Sequence, residues 1–280
     1  MKSSFPEILK RTLANASFVL AFLILNNSTF SQCKPLTIPF QAGEELNYDA
    51  YYHLKKLWVP AGKVRFEVKD STYEGQDCFH FDGKGKSLKS YDYFFMVRDH
   101  YASIARKNDL TPVRFTRKVR EGGFKLFYDY HIDAEKNKAT VYANENNPDQ
   151  HEEIKFPNCV FDVMTAVYYA RTLDFNNLKK DDTIPLPMMI DKQIYDGVFI
   201  RYAGKERVKG EDGTIYNCIK FRPLLIEGTI FEDGEYMDVF VTDDRNRIPV
   251  LIQAEILVGS VKAYLTSYKG LKYPVEAKVK

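Results

Sequence analysis

The chain has 280 residues, and its 40 Lys and Arg against 38 Asp and Glu give a formal net charge of +2. No basic stripe in the sequence argues for binding to nucleic acid or to an anionic membrane surface. Aromatic residues are abundant, with 19 Tyr and 20 Phe. In a β-rich domain this abundance predicts either a well-filled core or a cavity for an apolar ligand.

The first 31 residues have the order of a secretory signal peptide. Basic residues precede an apolar run at 16–25, and small residues follow at positions 29 and 31, which predicts cleavage between Ser31 and Gln32. The run is shorter than the roughly 20 residues needed to cross a bilayer, so we expect an exported mature chain, 32–280, without a transmembrane segment. The alternative is a lipid anchor on Cys33, although Gln32 stands where a lipoprotein signal has a small residue.

Alternation of apolar and polar residues predicts antiparallel strands in the first half of the mature chain. Tyr48, Ala50 and Tyr52 lie on one side of the first strand, and residues 60–62 (Pro-Ala-Gly) predict a turn into the second. Further strands are predicted at 78–81, 94–97, 101–104, 112–119, 124–132 and 138–142.

The segment 156–175 contains the only predicted helix, at about 162–173. Asp162 is a suitable N-cap because its carboxylate can accept hydrogen bonds from the first backbone N–H groups. One face has the i, i+3, i+4, i+7 spacing of Val163, Ala166, Val167 and Ala170. A second stripe consists of Met164, Tyr168 and Arg171. Two stripes predict helix contacts on two sides.

The segments on either side of this helix, about 40–143 and 196–270, show similar landmarks in the same order. Ten residues separate Pro112 from Gly122 and also Pro249 from Gly259. The other matched landmarks are Gly62 with Gly204, and Cys78 with Cys218. The spacing predicts an internal duplication; the alternative is that β proteins reuse Gly and Pro at turns.

Two related halves of five or six strands each predict a mainly β fold with one central helix. Antiparallel strands in this number are too many for one flat sheet, so we expect a barrel, a half-barrel or a sandwich. The mature chain is predicted to be a single domain.

Four cysteines remain in the mature chain. Cys78 and Cys218 hold equivalent places in the predicted halves, so they form a candidate disulfide; otherwise both are small apolar core residues. No C-x-x-C occurs and no His lies at ligand spacing from a Cys, so the sequence predicts no metal site and no cofactor.

Motifs that carry enzyme chemistry are missing from the sequence. It contains no G-x-S-x-G nucleophile elbow, no H-E-x-x-H and no calcium loop, so no catalytic residues are predicted. A hydrolase would need a cleft that gathers His100 or His131 with a carboxylate and a nucleophile.

Several segments resemble the family called domain of unknown function 3108. They are F-x-x-G-E-x-L-x-Y at 40–48, V-R-D-x-Y-x-S at 97–103, D-x-x-T-x-x-Y-Y-x-R at 162–171, V-T-D-D-x-x-x-x-P-V at 241–250, and Gly259-Ser260. The segment 237–240 departs from the family pattern, which has a tryptophan before V-T-D-D. The resemblance implies an exported β-rich protein of Gram-negative bacteria and no known catalytic residues.

The leading functional hypothesis is therefore non-catalytic binding of a hydrophobic or envelope-derived ligand in the periplasm or at the cell surface. The alternative is a structural or interaction module of the cell envelope. Tyr168, Tyr169 and Arg171 are the candidate ligand-binding residues, because an Arg beside two Tyr could orient an anionic head group at a cavity mouth. A structural helix packed on a sheet explains the same residues.

Overall fold

The computed structural model describes residues 33, 36–54, 57–143, 150–156, 159–224, 237–255 and 259–279. The predicted signal peptide, residues 1–31, lies outside these ranges, as does Gln32 at the predicted cleavage site. Within the described ranges, no helix is long and apolar enough to cross a bilayer.

The described residues form sixteen strands and one helix. In the first half, the strands are β1 (Glu45–Leu54), β2 (Leu57–Tyr73), β3 (Gln76–Ser87), β4 (Arg98–Arg106), β5 (Pro112–Glu121), β6 (Phe124–Asp133), β7 (Lys138–Tyr142) and β8 (His151–Lys155). Helix α1 (Val163–Ala170) and the short strands β9 (Thr183–Pro185), β10 (Met188–Ile190) and β11 (Gln193–Tyr195) follow. The last strands are β12 (Phe199–Lys209), β13 (Ile215–Pro223), β14 (Met237–Thr242), β15 (Pro249–Glu255) and β16 (Ser260–Lys269).

Fourteen of these strands form one antiparallel sheet. Their order is β8-β7-β6-β5-β4-β3-β2-β1-β16-β15-β14-β13-β12-β9, and β10 pairs with β11 separately. Strand β1 pairs with both β2 and β16, so it joins the first half of the chain to the last strand. The predicted mainly antiparallel β fold with one helix is confirmed, and the sheet is open, with β8 and β9 at its ends.

The sheet curls so that distant strands share one core. Val141 of β7 and Ile200 of β12 belong to the same cluster of buried residues as Met164 of α1, although ten strands separate β7 from β12. In a flat sheet with about 4.8 Å between strands they would lie roughly 50 Å apart. The helix therefore fills the inside of a strongly curved sheet.

Part of the outer face of the second half is also covered. Cys218, Phe240 and Leu251 belong to a second buried cluster, against which Val275 packs. The C-terminal segment is held there by backbone hydrogen bonds from Asn217 to Ala277 and from Val279 to Ile215. This cover explains why β13 to β15 carry apolar residues on both faces.

The two halves occupy the sheet in the same strand order. Strands β2–β6 and β12–β16 are both five-stranded meanders, flanked by β1 and β9 respectively. A register shift falls just after Pro112, where Val113 is skipped, and again just after Pro249, where Val250 is skipped. Leu110 and Arg247 both have positive φ, 58° and 48°.

One landmark pair does not hold equivalent places. In the first half, Cys78 pairs with Ser71, which lies nine residues after Gly62. In the second half, Cys218 pairs with Glu206, which lies only two residues after Gly204. The internal duplication therefore stays a prediction, supported by the Cys and Pro landmarks rather than by these glycines.

Two predicted local structures in the first half are wrong. Residues 60–62 continue β2 instead of forming a turn. Pro60 pairs with Tyr51 of β1, next to a register shift between Ala50 and Tyr51. On its other side β2 pairs with β3 only from Gly62 onward, so Pro60 has no partner strand there. A proline is tolerated at such an edge position, where no ladder N–H is needed. Residues 94–97, predicted as a strand, form the end of a turn before β4.

The candidate Cys78–Cys218 disulfide is wrong as well. Cys33 pairs with Cys159, with 5.0 Å between their Cα atoms, and Cys78 and Cys218 are buried free thiols. Five strands separate β3 from β13, and both thiols alternate with inward-facing phenylalanines, so they lie on the outer face and cannot meet through the core. Both cysteines are instead small, buried apolar residues, which is the alternative to a disulfide.

We predict that Cys159→Ser lowers the free energy of unfolding by about 2–5 kcal/mol, because the disulfide closes a long loop in the unfolded chain. Urea titration of oxidised and reduced protein measures the change. Dithiothreitol should destabilise the wild type by a similar amount and leave the variant unchanged. Equal stability of oxidised and reduced wild type would contradict this prediction.

Candidate functional site

The start of helix α1 is fixed by Asp162, as predicted. One carboxylate oxygen accepts hydrogen bonds from the backbone N–H groups of Met164 and Thr165 at 2.8 and 3.0 Å. The other accepts from the hydroxyl of Ser103 on β4 at 2.7 Å. Asp162 therefore caps the helix and also attaches it to the inner face of the sheet.

The helix packs through the stripe that contains Met164 and Tyr168, and Val167 of the first predicted face is exposed. Tyr168 stacks on Phe81 of β3 with 4.1 Å between ring centroids. A Cβ atom on Gly83 of β3 would lie 2.9 Å from the sulfur of Met164, so a larger residue there would require the Met164 side chain to shift.

Arg171, directly after the helix, forms a buried ion pair with Glu44. Its Nη1 and Nη2 atoms donate to the two carboxylate oxygens at 2.5 and 2.9 Å. Nε and Nη2 also donate to the backbone carbonyl of Asn246 at 3.2 and 2.9 Å. The side chains of Arg171 and Glu44 are 1% and 0% exposed, so this pair ties the helix to the start of β1 and to the β14–β15 turn inside the core.

Aromatic rings complete the surroundings of the guanidinium. Its carbon lies 5.1 Å from the ring centre of Phe40 and 5.5 Å from that of Tyr168. Burial opposes the charged form, but the Glu44 carboxylate outweighs burial and raises the pKa of Arg171. The nearby Tyr48 donates its hydroxyl to the carbonyl of Pro249 at 3.0 Å.

The three predicted ligand-binding residues are thus placed in the core and not at a cavity mouth. Arg171 and Tyr168 are fully buried, and the half-buried Tyr169 stacks on Phe161 at 4.3 Å. The family-like motif residues meet at the two ends of the helix, where Ser103 contacts Asp162 and Glu44 contacts Arg171. This placement matches the alternative of a structural helix.

We predict that Arg171→Met lowers the free energy of unfolding by about 3–5 kcal/mol, because it leaves the Glu44 carboxylate buried and unpaired. The double variant Arg171→Met/Glu44→Leu should be more stable than Arg171→Met alone, since it removes that charge. Urea titration checks both. Tyr168→Phe is the control, expected within about 1 kcal/mol of wild type because its hydroxyl has no partner among the described residues. A double variant less stable than Arg171→Met would contradict the assignment.

A pH dependence follows from Asp162. Burial raises its pKa to about 6, above the ordinary value of about 3.9, so its contribution to stability is complete below about pH 4 and is lost as the pH rises through 6. Relative to wild type, Asp162→Asn should gain about 3 kcal/mol in free energy of unfolding between about pH 4 and pH 7. Urea titrations at both pH values measure the gain. A difference that is constant with pH, or that falls, would contradict it.

Two histidines meet carboxylates, both through the outer face of the sheet. His100 Nε2 lies 2.8 Å from Asp82 Oδ2, and His131 Nε2 lies 3.3 Å from Asp129 Oδ2. Among the hydrogen bonds of the described residues, neither ring contacts a hydroxyl or thiol. The described ranges also contain no cluster of His, Cys, Asp or Glu that could hold a metal ion.

An exposed aromatic surface lies at one end of the sheet, where β3 ends and β4 begins. We call it the aromatic rim, and it consists of Tyr91, Tyr93, Phe94, Phe95 and Phe124. Tyr93 and Phe94 are 90% and 78% exposed, and their ring centres lie 5.6 Å apart. Phe95 lies against Gly122, one residue after the end of β5.

The turn that presents the rim is held firmly. Backbone N–H groups of Phe94 and Phe95 donate to the carbonyl of Tyr91 at 2.9 and 3.1 Å. The Asp92 carboxylate accepts two hydrogen bonds from Arg98, at 3.0 and 2.6 Å, and one from the Ser87 hydroxyl. The exposed rings are therefore carried on an ordered turn.

Basic residues surround the rim. Arg120 of β5 pairs with Lys125 of β6, next to the pair that contains Phe124 of the rim. Lys86 of β3 pairs with Arg98 of β4. Arg120, Lys125, Lys86 and the nearby Lys89 are all exposed. This local positive charge arises from three segments that meet only in the folded sheet.

A carboxyl pair lies behind the rim on the inner face. Asp99 and Glu121 are hydrogen-bonded to each other. Burial and then the neighbouring Asp99 raise the pKa of Glu121 to about 7, and burial also raises the pKa of Asp99. The raised pKa values of these two carboxyl groups lower the negative charge that they place beside the rim.

Sequence reasoning missed the rim because the apolar run 94–97 looks like a buried strand. The signal that could have found it is the preceding Lys89-Ser90-Tyr91-Asp92, since Ser and Asp favour turns by hydrogen bonding to nearby backbone. Many of the described aromatic residues therefore lie either in a filled core or at this exposed end.

Comparison with solved structures gives the class of the fold. The crystal structure of a β-barrel-like protein of domain of unknown function DUF1849 from Brucella abortus matches with a TM-score of 0.53 and 9% sequence identity, over 86% of this chain and 100% of that chain. The protein thus has a β-barrel-like fold, and at this identity the likeness concerns the fold alone. No curated protein matches the chain.

The family follows from the sequence itself. The model of a family described as protein of unknown function (DUF3108) matches residues 47–266. The chain belongs to this family, which confirms the resemblance found in its motifs.

Proposed function

We propose that this is an exported, non-catalytic binding protein of the cell envelope whose aromatic rim docks on the surface of an anionic lipid bilayer. The observation that carries the proposal is the exposure of Tyr93 and Phe94, 90% and 78%, on an ordered turn. Large exposed apolar patches on soluble proteins mark interaction sites.

The side-chain chemistry of the rim suits a lipid surface. Tyr and Phe rings enter the boundary between head groups and acyl chains, and Lys and Arg beside them attract anionic lipids. Lys86, Lys89, Arg120 and Lys125 supply this charge although the whole chain is nearly neutral.

The filled interior favours this external site over an internal cavity. Phe40, Phe81 and Tyr168 pack edge-to-face or stacked in the space inside the curved sheet. A hydrophobic ligand at the predicted Arg171 position would have to displace this core and the Glu44 pair.

The disulfide supports export. Disulfides persist in oxidising compartments such as the periplasm, and Cys33 pairs with Cys159. A Cys33 sulfur in this bond cannot also carry a lipid, which favours cleavage between Ser31 and Gln32 over a lipid anchor.

We predict that the double variant Tyr93→Ser/Phe94→Ser binds vesicles of phosphatidylethanolamine and phosphatidylglycerol at least about tenfold more weakly than wild type, because burying one large apolar side chain contributes about 1.5–3 kcal/mol. Co-sedimentation of the mature protein with vesicles measures the partition. Vesicles of phosphatidylcholine alone should bind wild type less well.

The matched control is Ile215→Ser. Ile215 is 42% exposed and is the first residue of β13. In the antiparallel order of the sheet, β13 runs in the same direction as β3, which ends at the rim. Ile215 therefore lies at the opposite end of the sheet. Its binding should equal that of wild type. No vesicle binding by wild type, or equal binding by the rim variant, would overturn the proposal; in the first case a protein partner for the rim becomes the better hypothesis.

A further inference from the structure

A polar row crosses the outer face of the second half of the sheet. Tyr51 of β1 pairs with Lys262 of β16, which pairs with Gln253 of β15, which pairs with Asp238 of β14. Arg222 of β13 extends the row by donating from Nε to Asp238 at 2.6 Å. The sheet register therefore lines up an aromatic ring, donors and an acceptor in a single row.

An open cavity of about 600 Å³ lies over this row, within the roughly 300–1,000 Å³ range of ligand pockets. Its lining includes Trp58, Glu255, Arg222, Gln253 and Lys262. A second cavity of about 360 Å³ shares Trp58 and Lys262 and adds Tyr51 and Tyr264. The two form one depression, which we call the outer groove.

Trp58 supplies an apolar surface in the outer groove. Its side chain is 38% exposed, it stacks on His53 with 4.8 Å between ring centroids, and Lys262 Nζ lies 4.4 Å from its ring centre. The ring is thus held in place by His53 and Lys262, and a sugar that stacks on it would displace the long Lys262 side chain from the ring.

The polar side chains are also positioned in advance. Asp238 accepts from Arg222 at 2.6 Å, from Lys220 at 2.8 Å and from Gln253 at 3.3 Å. Arg222 uses Nε for this contact, so its two terminal nitrogens can donate to a ligand. Such fixed side chains lose little conformational entropy on binding.

The chemistry of the lining selects the ligand class. Three cations line the outer groove, namely Arg222, Lys262 and Lys209. They are balanced by three carboxylates, Asp238, Glu255 and Glu211, so an anionic ligand gains little. An apolar ligand would strip water from these charged groups without replacing their hydrogen bonds. A sugar offers hydroxyl groups that both donate and accept, and C–H faces that stack on an aromatic ring.

We propose that the outer groove binds a neutral oligosaccharide. Trp58 stacks on a sugar ring, and Gln253, Arg222 and Asp238 hydrogen-bond to its hydroxyl groups. This site is separate from the aromatic rim and does not depend on lipid binding.

The test uses Trp58, the only tryptophan in the chain, as its own reporter. The mature protein is titrated with a panel of neutral and acidic oligosaccharides of hexoses and N-acetylhexosamines while tryptophan fluorescence is recorded. A saturable change with a neutral member and none with the acidic ones is the expected result. No change and no calorimetric heat with any member of the panel would overturn the proposal.

Variants locate the site by calorimetry with the sugar that binds. Trp58→Ala and Gln253→Ala should each weaken binding by about tenfold. Gln193→Ala is the matched control, because Gln193 is an exposed glutamine on β11 outside the groove, and it should leave the affinity unchanged. Unchanged affinity in both groove variants would overturn the assignment.

The rim variant Tyr93→Ser/Phe94→Ser separates the two proposals. It should bind the sugar with wild-type affinity even where it no longer binds vesicles. A matched loss of sugar binding in this variant would contradict an independent groove.

Discussion

The buried ion pair between Arg171 and Glu44 is the contact on which the position of the helix depends. Burying two charges is unfavourable unless their geometry is good and their remaining donors are used. Both conditions hold, because the guanidinium meets the carboxylate at two points and gives further hydrogen bonds to Asn246. The same side chain therefore fixes the end of α1, the start of β1 and the β14–β15 turn, while Asp162 fixes the start of α1 on β4.

A helix held in this way fills the inside of the curved sheet, and this has a consequence for function. Aromatic residues that could have lined a cavity pack instead around Tyr168 and Phe40. The surfaces that we propose for binding lie instead at the end of the sheet and on its outer face. The two surfaces differ in chemistry. The aromatic rim is apolar and basic, whereas the outer groove is polar with balanced charge.

Local patterns predicted the fold well, and the sites poorly. Asp162 as N-cap, the alternating strands and the single helix follow from interactions between residues close in sequence. The Cys33–Cys159 pair and the outer groove depend on sheet order and register, which bring together residues up to about two hundred positions apart, and no local pattern encodes them. Pro60 and Phe94 misled for a related reason, since an edge position tolerates proline and an exposed turn can carry a run of apolar residues.

The central claim is that Arg171 locks three separate segments at once, and hydrogen exchange measured by mass spectrometry tests it most directly. Amide protection is compared between wild type and Arg171→Met under native conditions. We expect protection to fall together in residues 43–46, 163–171 and 244–250, because one side chain holds all three. Loss of protection in the helix alone, with the other two segments unchanged, would contradict the account.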